Sequence, residues 1–216
     1  EATQLGQTLT LEHDGDSRTV KLPLIGAYQA ANALVSAGLA LSTGAPCAQV
    51  FDAIGRLQPV RGRLERACLT PAGAPVYVDY AHTPDALEAA IAALRPHVDG
   101  ARSGALIVVF GAGGDRDPGK RGPMGDNPRG ENPTSIREAV LAGARGASHA
   151  RAVEGRREAI GSAVKQAGKH DIILIASKGH EQGQIIGAGD TMKVLPFDDV
   201  EVARERAAAL AQGRVS

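Results

Sequence analysis

Tryptophan is absent from this 216-residue chain, aromatic residues make up only 3% of it, and cysteine occurs twice. With so few aromatic rings, a core must be assembled from Ala, Val, Leu and Ile, which the 43% apolar content supplies. Cys47 and Cys68 stand in no CxxC or other metal-ligand spacing. Two scattered cysteines fit small buried hydrophobes in a reducing compartment better than a disulfide framework. An excess of either charge is also missing, since 24 basic residues face 24 acidic ones. A neutral chain has no electrostatic footprint for a polyanion, so nucleic-acid binding is not expected. No run approaches the roughly 20 apolar residues of a membrane helix. The start, EATQLGQTLTLEHDG, has neither the basic opening nor the apolar stretch of a signal peptide. The expectation is a cytoplasmic protein without membrane insertion. The chain also lacks an initiating Met and opens as if within a strand, which reads as a fragment.

Two alternating stretches, QTLTLE (7–12) and RTVKLPL (18–24), flank HDGDS and predict a β-hairpin. Helices are predicted over 28–42, with Gly44 as the C-terminal cap, and over 46–57. Pro59 and VRGRLER then mark a boundary. Residues 1–62 are too few to form a comfortable domain, and are expected to be part of one; residues 63–216 form the second unit. From about residue 66 strands and helices alternate. Strands are predicted at 75–80, 104–111 and 171–177. Helices are predicted at 84–95, 133–146, 156–168 and 198–212. The second and third of these strands are apolar without alternation, as buried parallel strands are. The expected fold class is α/β, with a Rossmann-like, mostly parallel sheet covered by helices on both faces.

Ligands bind such sheets beyond the carboxyl ends of the strands. DYAHTPD (79–85), GAGGDRDPGKR (111–121) and SKGHE (177–181) each follow a predicted strand directly. Three unusual segments are therefore expected on one edge. Asp79 can accept from vicinal hydroxyls, and His82 can donate to an anion; alone, the pair also fits a helix cap beside a half-buried histidine. Glycines 111, 113 and 114 free backbone amides for a ligand, with Asp115, Arg116, Asp117, Lys120 and Arg121 crowding the same loop. Such a loop is equally a solvated turn with self-paired charges. No GxxxxGK[ST] sequence occurs, so a triphosphate cradle of that type lies outside these residues. In DNPRGENP (126–133), Arg129 offers a planar fork for a carboxylate, and Asn127 and Glu131 offer groups for an ammonium. An exposed Asx-Pro turn is the simpler alternative. Lys178, His180 and Glu181 form a charged cluster after a buried strand; no zinc spacing is present. DNPR follows the glycine-rich loop with no helix and strand between them, although a parallel sheet needs a crossover. Either a βα unit has been lost, or residues intervene between Gly125 and Asp126; the second is the expectation.

DYAHTPD, FGAGGDRDPGKR, DNPRGENP and KGHE, in that order, resemble the Mur ligase family. Within it they resemble the branch that adds meso-2,6-diaminopimelate to UDP-N-acetylmuramoyl-L-alanyl-D-glutamate. LIGAYQAAN (24–32) and VRGRLE (60–65) resemble the end of the family's central ATPase domain and the junction beyond it. The resemblance covers almost the whole chain. It implies an acid–amino-acid ligase of cytoplasmic peptidoglycan precursor synthesis, and hence of cell wall growth, shape and division. It also implies the cofactors ATP and Mg²⁺, an acyl phosphate attacked by the amine, and a monomer. By position, Arg116, Asp126, Asn127, Arg129, Ser177 and Glu181 match the diaminopimelate-binding residues. Arg129 and Arg116 would hold the distal carboxylate, which lysine lacks, and Asn127 and Glu181 the distal ammonium. Asn32, Arg63, Asp79, His82 and Lys120 match the nucleotide side. No residue is assigned as catalytic or as a metal ligand. Two positions depart from the family pattern: Ser177 replaces the usual Gly, and Gln29 replaces the first Asn of GxxNxxN. The family's P-loop, carbamylated lysine and UDP-sugar domain are not among these residues, so this chain alone is expected to be inactive. A non-catalytic amino-acid-binding module and a folylpolyglutamate-synthetase-like ligase are the alternatives.

Overall fold

The computed structural model describes residues 1–98, 103–111, 149–186 and 193–213. The predicted helix at 133–146 and the Gly125–Asp126 junction lie outside the described residues. The N-terminal part is an antiparallel sheet of β1 (Ala2–Thr3), β2 (Gly6–His13) and β3 (Asp16–Leu22). The predicted hairpin is present, with Asp14 (φ 49°) and Gly15 (φ 88°) turning the chain. Positive φ at both central positions matches the twist of the flanking strands. Helices α1 (Ala27–Ser42) and α2 (Cys47–Ile54) cover this sheet. Leu11, Val20, Leu22, Ala33, Ala37, Val50, Phe51 and Ile54 are buried between them. Gly44 follows the end of α1 at φ 90°, as its capping role requires.

The second sheet contains β4 (Glu65–Leu69), β5 (Pro75–Val78), β6 (Leu106–Val109) and β7 (Ile172–Ile175), in the order β4-β5-β7-β6. Strands β5, β7 and β6 are parallel, as expected. The antiparallel edge strand β4 was not predicted. It lies within and just beyond VRGRLER, which reads as a boundary because its basic residues hide the pairing. Among the described residues, helices α3 (Pro84–Leu94), α4 (Arg156–Gln166) and α5 (Asp199–Ala211) flank this sheet. Alternate residues of β5 and β7 face opposite sides. Val76, Val78, Ile173 and Ile175 pack with Ile160, Val164, Val202 and Ala203 of α4 and α5. Tyr77, Ile172 and Leu174 pack with Leu87, Ala90 and Leu94 of α3. Helices thus cover both faces, and the central strands have no polar side, as their sequence implies. A small hairpin, β8 (Gly183–Ile186) with β9 (Lys193–Pro196), precedes α5.

The two parts meet through His97, just after α3. Its Nε2 accepts from the Gly26 amide at 3.0 Å, and its Nδ1 lies 2.7 Å from the Thr3 carbonyl. This geometry selects the neutral ring protonated on Nδ1. Burial holds the pKa of His97 below the ordinary histidine value. Tyr77 adds a hydroxyl donated to the Gln4 carbonyl at 2.7 Å.

Candidate functional site at the strand ends

The sheet register sets Val78 and Val109 beside Ile175, so β5, β6 and β7 end level with one another. DYAHTPD and SKGHE therefore leave neighbouring strands at the same edge, and Phe110 and Gly111 follow β6 there. Arg116, Lys120, Asp126, Asn127 and Arg129 lie outside the described residues.

Asp79 is the first residue beyond β5 and is buried. Its Oδ2 accepts from the Leu64 amide and its Oδ1 from the Ala81 amide, each at 2.8 Å. Its own amide donates to the Ile175 carbonyl at 2.9 Å. Burial raises the carboxyl pKa, while the two amides and nearby Arg63 oppose the shift. One carboxylate thus ties the 60–64 junction to the strand end, with a lone pair left on each oxygen for a further donor.

The junction packs tightly against both motifs. The Tyr80 amide donates to the Gly62 carbonyl at 2.8 Å, and the Gly62 amide donates to Glu65 Oε2 at 2.9 Å. Gly62 has φ 68°, and a Cβ there would lie 2.5 Å from the His180 amide nitrogen. Gly179 has φ 53°, and its Cβ would lie 2.6 Å from the Tyr80 Cβ. Neither position accommodates a side chain. Sequence reasoning missed both constraints; φ above zero in a glycine is invisible until the chain is folded.

Tyr80 organises the exposed side of the site. Its ring lies 4.5 Å from that of His82 and 4.9 Å from that of His180, with the Arg63 guanidinium 5.9 Å from its centroid. His82 is exposed, and its Nδ1 lies 2.9 Å from the Tyr80 carbonyl. Thr83 caps α3 by accepting from the Ala86 amide, and Pro84 occupies the first turn. Gln29 Nε2 donates to the Arg63 carbonyl at 3.3 Å. Asn32 is exposed three residues further along α1, on the same side of the helix as Gln29. Arg63, Asp79 and His82 thus converge around Tyr80, which sequence reasoning left unassigned.

SKGHE forms a tight turn, with the Glu181 amide donating to the Lys178 carbonyl at 2.9 Å. The Lys178 side chain is 2% exposed. Its ammonium lies 3.4 Å from Glu181 Oε2 and donates to the Gly183 carbonyl. A buried ammonium requires such partners. Lys178 therefore braces the turn against β8, while the Glu181 side chain remains 40% exposed. Ser177 has φ 98° and is buried, and its Oγ has no hydrogen-bond partner. A φ of that sign is one that glycine adopts without strain and serine does not.

The half-buried ring of Tyr80 has the Arg63 guanidinium and the His82 ring beside it, next to the twice-bonded Asp79. Among the described residues no group of three His, Cys, Asp or Glu side chains converges to hold a metal ion. No helix among them is long and apolar enough to cross a membrane.

Residues 62–126 match the family described as Mur ligase, glutamate ligase domain. The chain is 58% identical to a UDP-N-acetylmuramoyl-L-alanyl-D-glutamate–2,6-diaminopimelate ligase of Zymomonas mobilis subsp. mobilis, with 95% of this chain and 44% of the relative covered. The ligase of the same name from Bradyrhizobium diazoefficiens is 49% identical, with 95% and 42% covered. The chain therefore spans less than half the length of these relatives. A solved structure of a ligase of that name superposes with TM-score 0.74 at 31% identity, covering 98% of this chain and 44% of the other. UDP-N-acetylmuramate-alanine ligase of Thermotoga maritima shares the fold, with TM-score 0.62 at 19% identity over 98% and 44% of the two chains. With its strand-end motifs on one edge and these matches along almost its whole length, the chain belongs to the Mur ligase family.

Proposed function

We propose that this chain is the amino-acid-receiving part of an ATP-dependent ligase that joins meso-diaminopimelate to UDP-N-acetylmuramoyl-L-alanyl-D-glutamate. One observation carries the reading: a relative named for this reaction shares 58% of aligned residues over 95% of this chain. The level strand ends support it, because they place the SKGHE turn beside the Asp79–Tyr80–His82 segment. Arg116 and Arg129 would bind the distal carboxylate of diaminopimelate, Asn127 and Glu181 its ammonium, and Asp126 and Ser177 would line the same pocket. The unpartnered Ser177 hydroxyl supplies a buried group for a polar substrate. Asn32, Arg63, Asp79, His82 and Lys120 would face the nucleotide. ATP, with Mg²⁺, would supply the phosphoryl group that makes the acceptor carboxylate an acylating agent.

We also read residues 1–62 as the tail of a larger nucleotide-binding domain and 63–216 as the amino-acid domain. Leu34, Val35 and Leu39 of α1 are 48%, 64% and 65% exposed. Such apolar exposure fits a unit whose remaining layers belong to a longer polypeptide.

The test uses the full-length polypeptide. ATP-dependent amide formation is measured with meso-diaminopimelate and with L-lysine. Strong preference for diaminopimelate is expected. Arg129→Ala should raise its KM by about 5–150-fold, the equivalent of roughly 1–3 kcal/mol, with little change for ATP. Equal use of lysine, or an unchanged KM in the variant, would refute the assignment.

A further inference from the structure

Strand β7 leaves its sheet at Ala176. The Ile175 carbonyl still accepts from the Asp79 amide at 2.9 Å, and the Ala176 amide donates to the Val109 carbonyl at 2.8 Å. The Ala176 carbonyl then turns to a side chain, accepting from Arg156 Nη2 at 2.8 Å. Arg156 opens α4 and Asp199 opens α5. Arg156 Nε and Nη2 donate to the two carboxylate oxygens of Asp199, each at 2.7 Å. The side chains are 4% and 0% exposed, so the pair is sealed beneath the end of β7.

Burying two charges carries a desolvation cost of several kcal/mol per ion, and an apolar pair of similar volume often gives equal stability. An apolar pair has no directed donor for the Ala176 carbonyl. That carbonyl precedes Ser177, whose φ of 98° is unfavourable for any residue but glycine. Behind Ser177, Gly179 is seated on Tyr80 and against Gly62. The turn is thus pinned at its entrance by Arg156 and near its end by close packing.

We propose that Arg156, oriented by Asp199, is a positioning residue that fixes the Ala176 carbonyl and so holds the strained turn presenting Ser177 and Glu181 to the amino-acid substrate. The substrate assignment rests on the function proposed above; the mechanical role does not.

The experiment compares the full-length polypeptide with the double variant Arg156→Met/Asp199→Leu, which removes both charges of the pair, and with Arg156→Lys, which cannot bond both carboxylate oxygens in the same plane. Two readouts are taken: steady-state KM values, and amide hydrogen exchange over residues 176–183. The double variant should melt near the parent and exchange faster in this segment. Its diaminopimelate KM should rise about 10–100-fold, with the ATP KM nearly unchanged. Arg156→Lys should lie between the two. Parental exchange rates and parental diaminopimelate KM in a folded double variant would overturn the proposal. If the double variant does not fold, Arg156→Lys decides by the same readouts. A parent with no diaminopimelate-dependent activity would sink the functional reading, and exchange alone would then decide the positioning role.

Discussion

Strands β5 and β7 are buried along their whole length, whereas the 16-residue helix α1 buries only Ala33 and Ala37. The strands lie between α3 on one face and α4 with α5 on the other. Helix α1 has the β1–β3 sheet and α2 on one side, and its opposite side carries Leu34, Val35 and Leu39 into solvent. Both regions are rich in apolar residues, yet only one has two layers around it. Apolar composition thus reports the potential to bury surface, and the number of available layers decides how much is buried.

The contrast is sharpest in the middle of the parallel sheet. Ile173→Ala removes a side chain with 0% exposure. It should cost about 2–5 kcal/mol in a denaturant titration of this chain. A loss below about 1 kcal/mol would mean that the sheet is not the dominant core.

At the seam between the regions, Gly62→Ala should destabilise by about 1–3 kcal/mol, since φ is positive there and the new Cβ would meet the His180 amide. A neutral result would show that the junction is looser than its contacts imply.

His97 gives a pH-dependent test of the same seam. Its folded pKa lies below the unfolded value of 6.5. The unfolded chain therefore binds the proton more readily, and stability rises with pH across this window. The contribution is complete above the unfolded pKa and is lost as pH falls through the folded one. Between about pH 7.5 and 5, the parent should lose stability more steeply than His97→Gln. Parallel curves would remove His97 from the account.

The smallest effect is expected on the outer side of α1. Leu39→Gln keeps a good helix former and removes an exposed side chain, so this chain should change by no more than about 0.5 kcal/mol. A large loss would mean that Leu39 is buried in solution and that the contrast with β5 and β7 is overstated.

Much of this was legible beforehand, and the failures are specific. Apolar runs without alternation at 104–111 and 171–177 revealed parallel strands, and the Asp-Gly turn revealed the hairpin. Strand β4 was hidden because its charged residues at the sheet edge suppress the apolar signal. The positions of Asp79, His82 and Glu181 at the strand-end edge were readable from their places after strands. The contacts of Tyr80, Arg156 and Asp199 were not, because nothing local separates a ring that two histidines approach, or a buried ion pair, from surface side chains. Arg156 and Asp199 are 43 residues apart and meet only in the folded chain.

The order of the motifs along the chain determined the family resemblance, the strand–helix alternation and the placement of the motif segments after strands, because these follow from local pattern and periodicity. Which residues support those segments was decided by the tertiary structure alone. The two oxygens of Asp79 are directed at backbone amides, Lys178 is turned inward, and Ser177 is held at a φ that its own chemistry disfavours. Each depends on groups brought together from distant positions, where burial makes an unmet hydrogen bond or a missing partner costly.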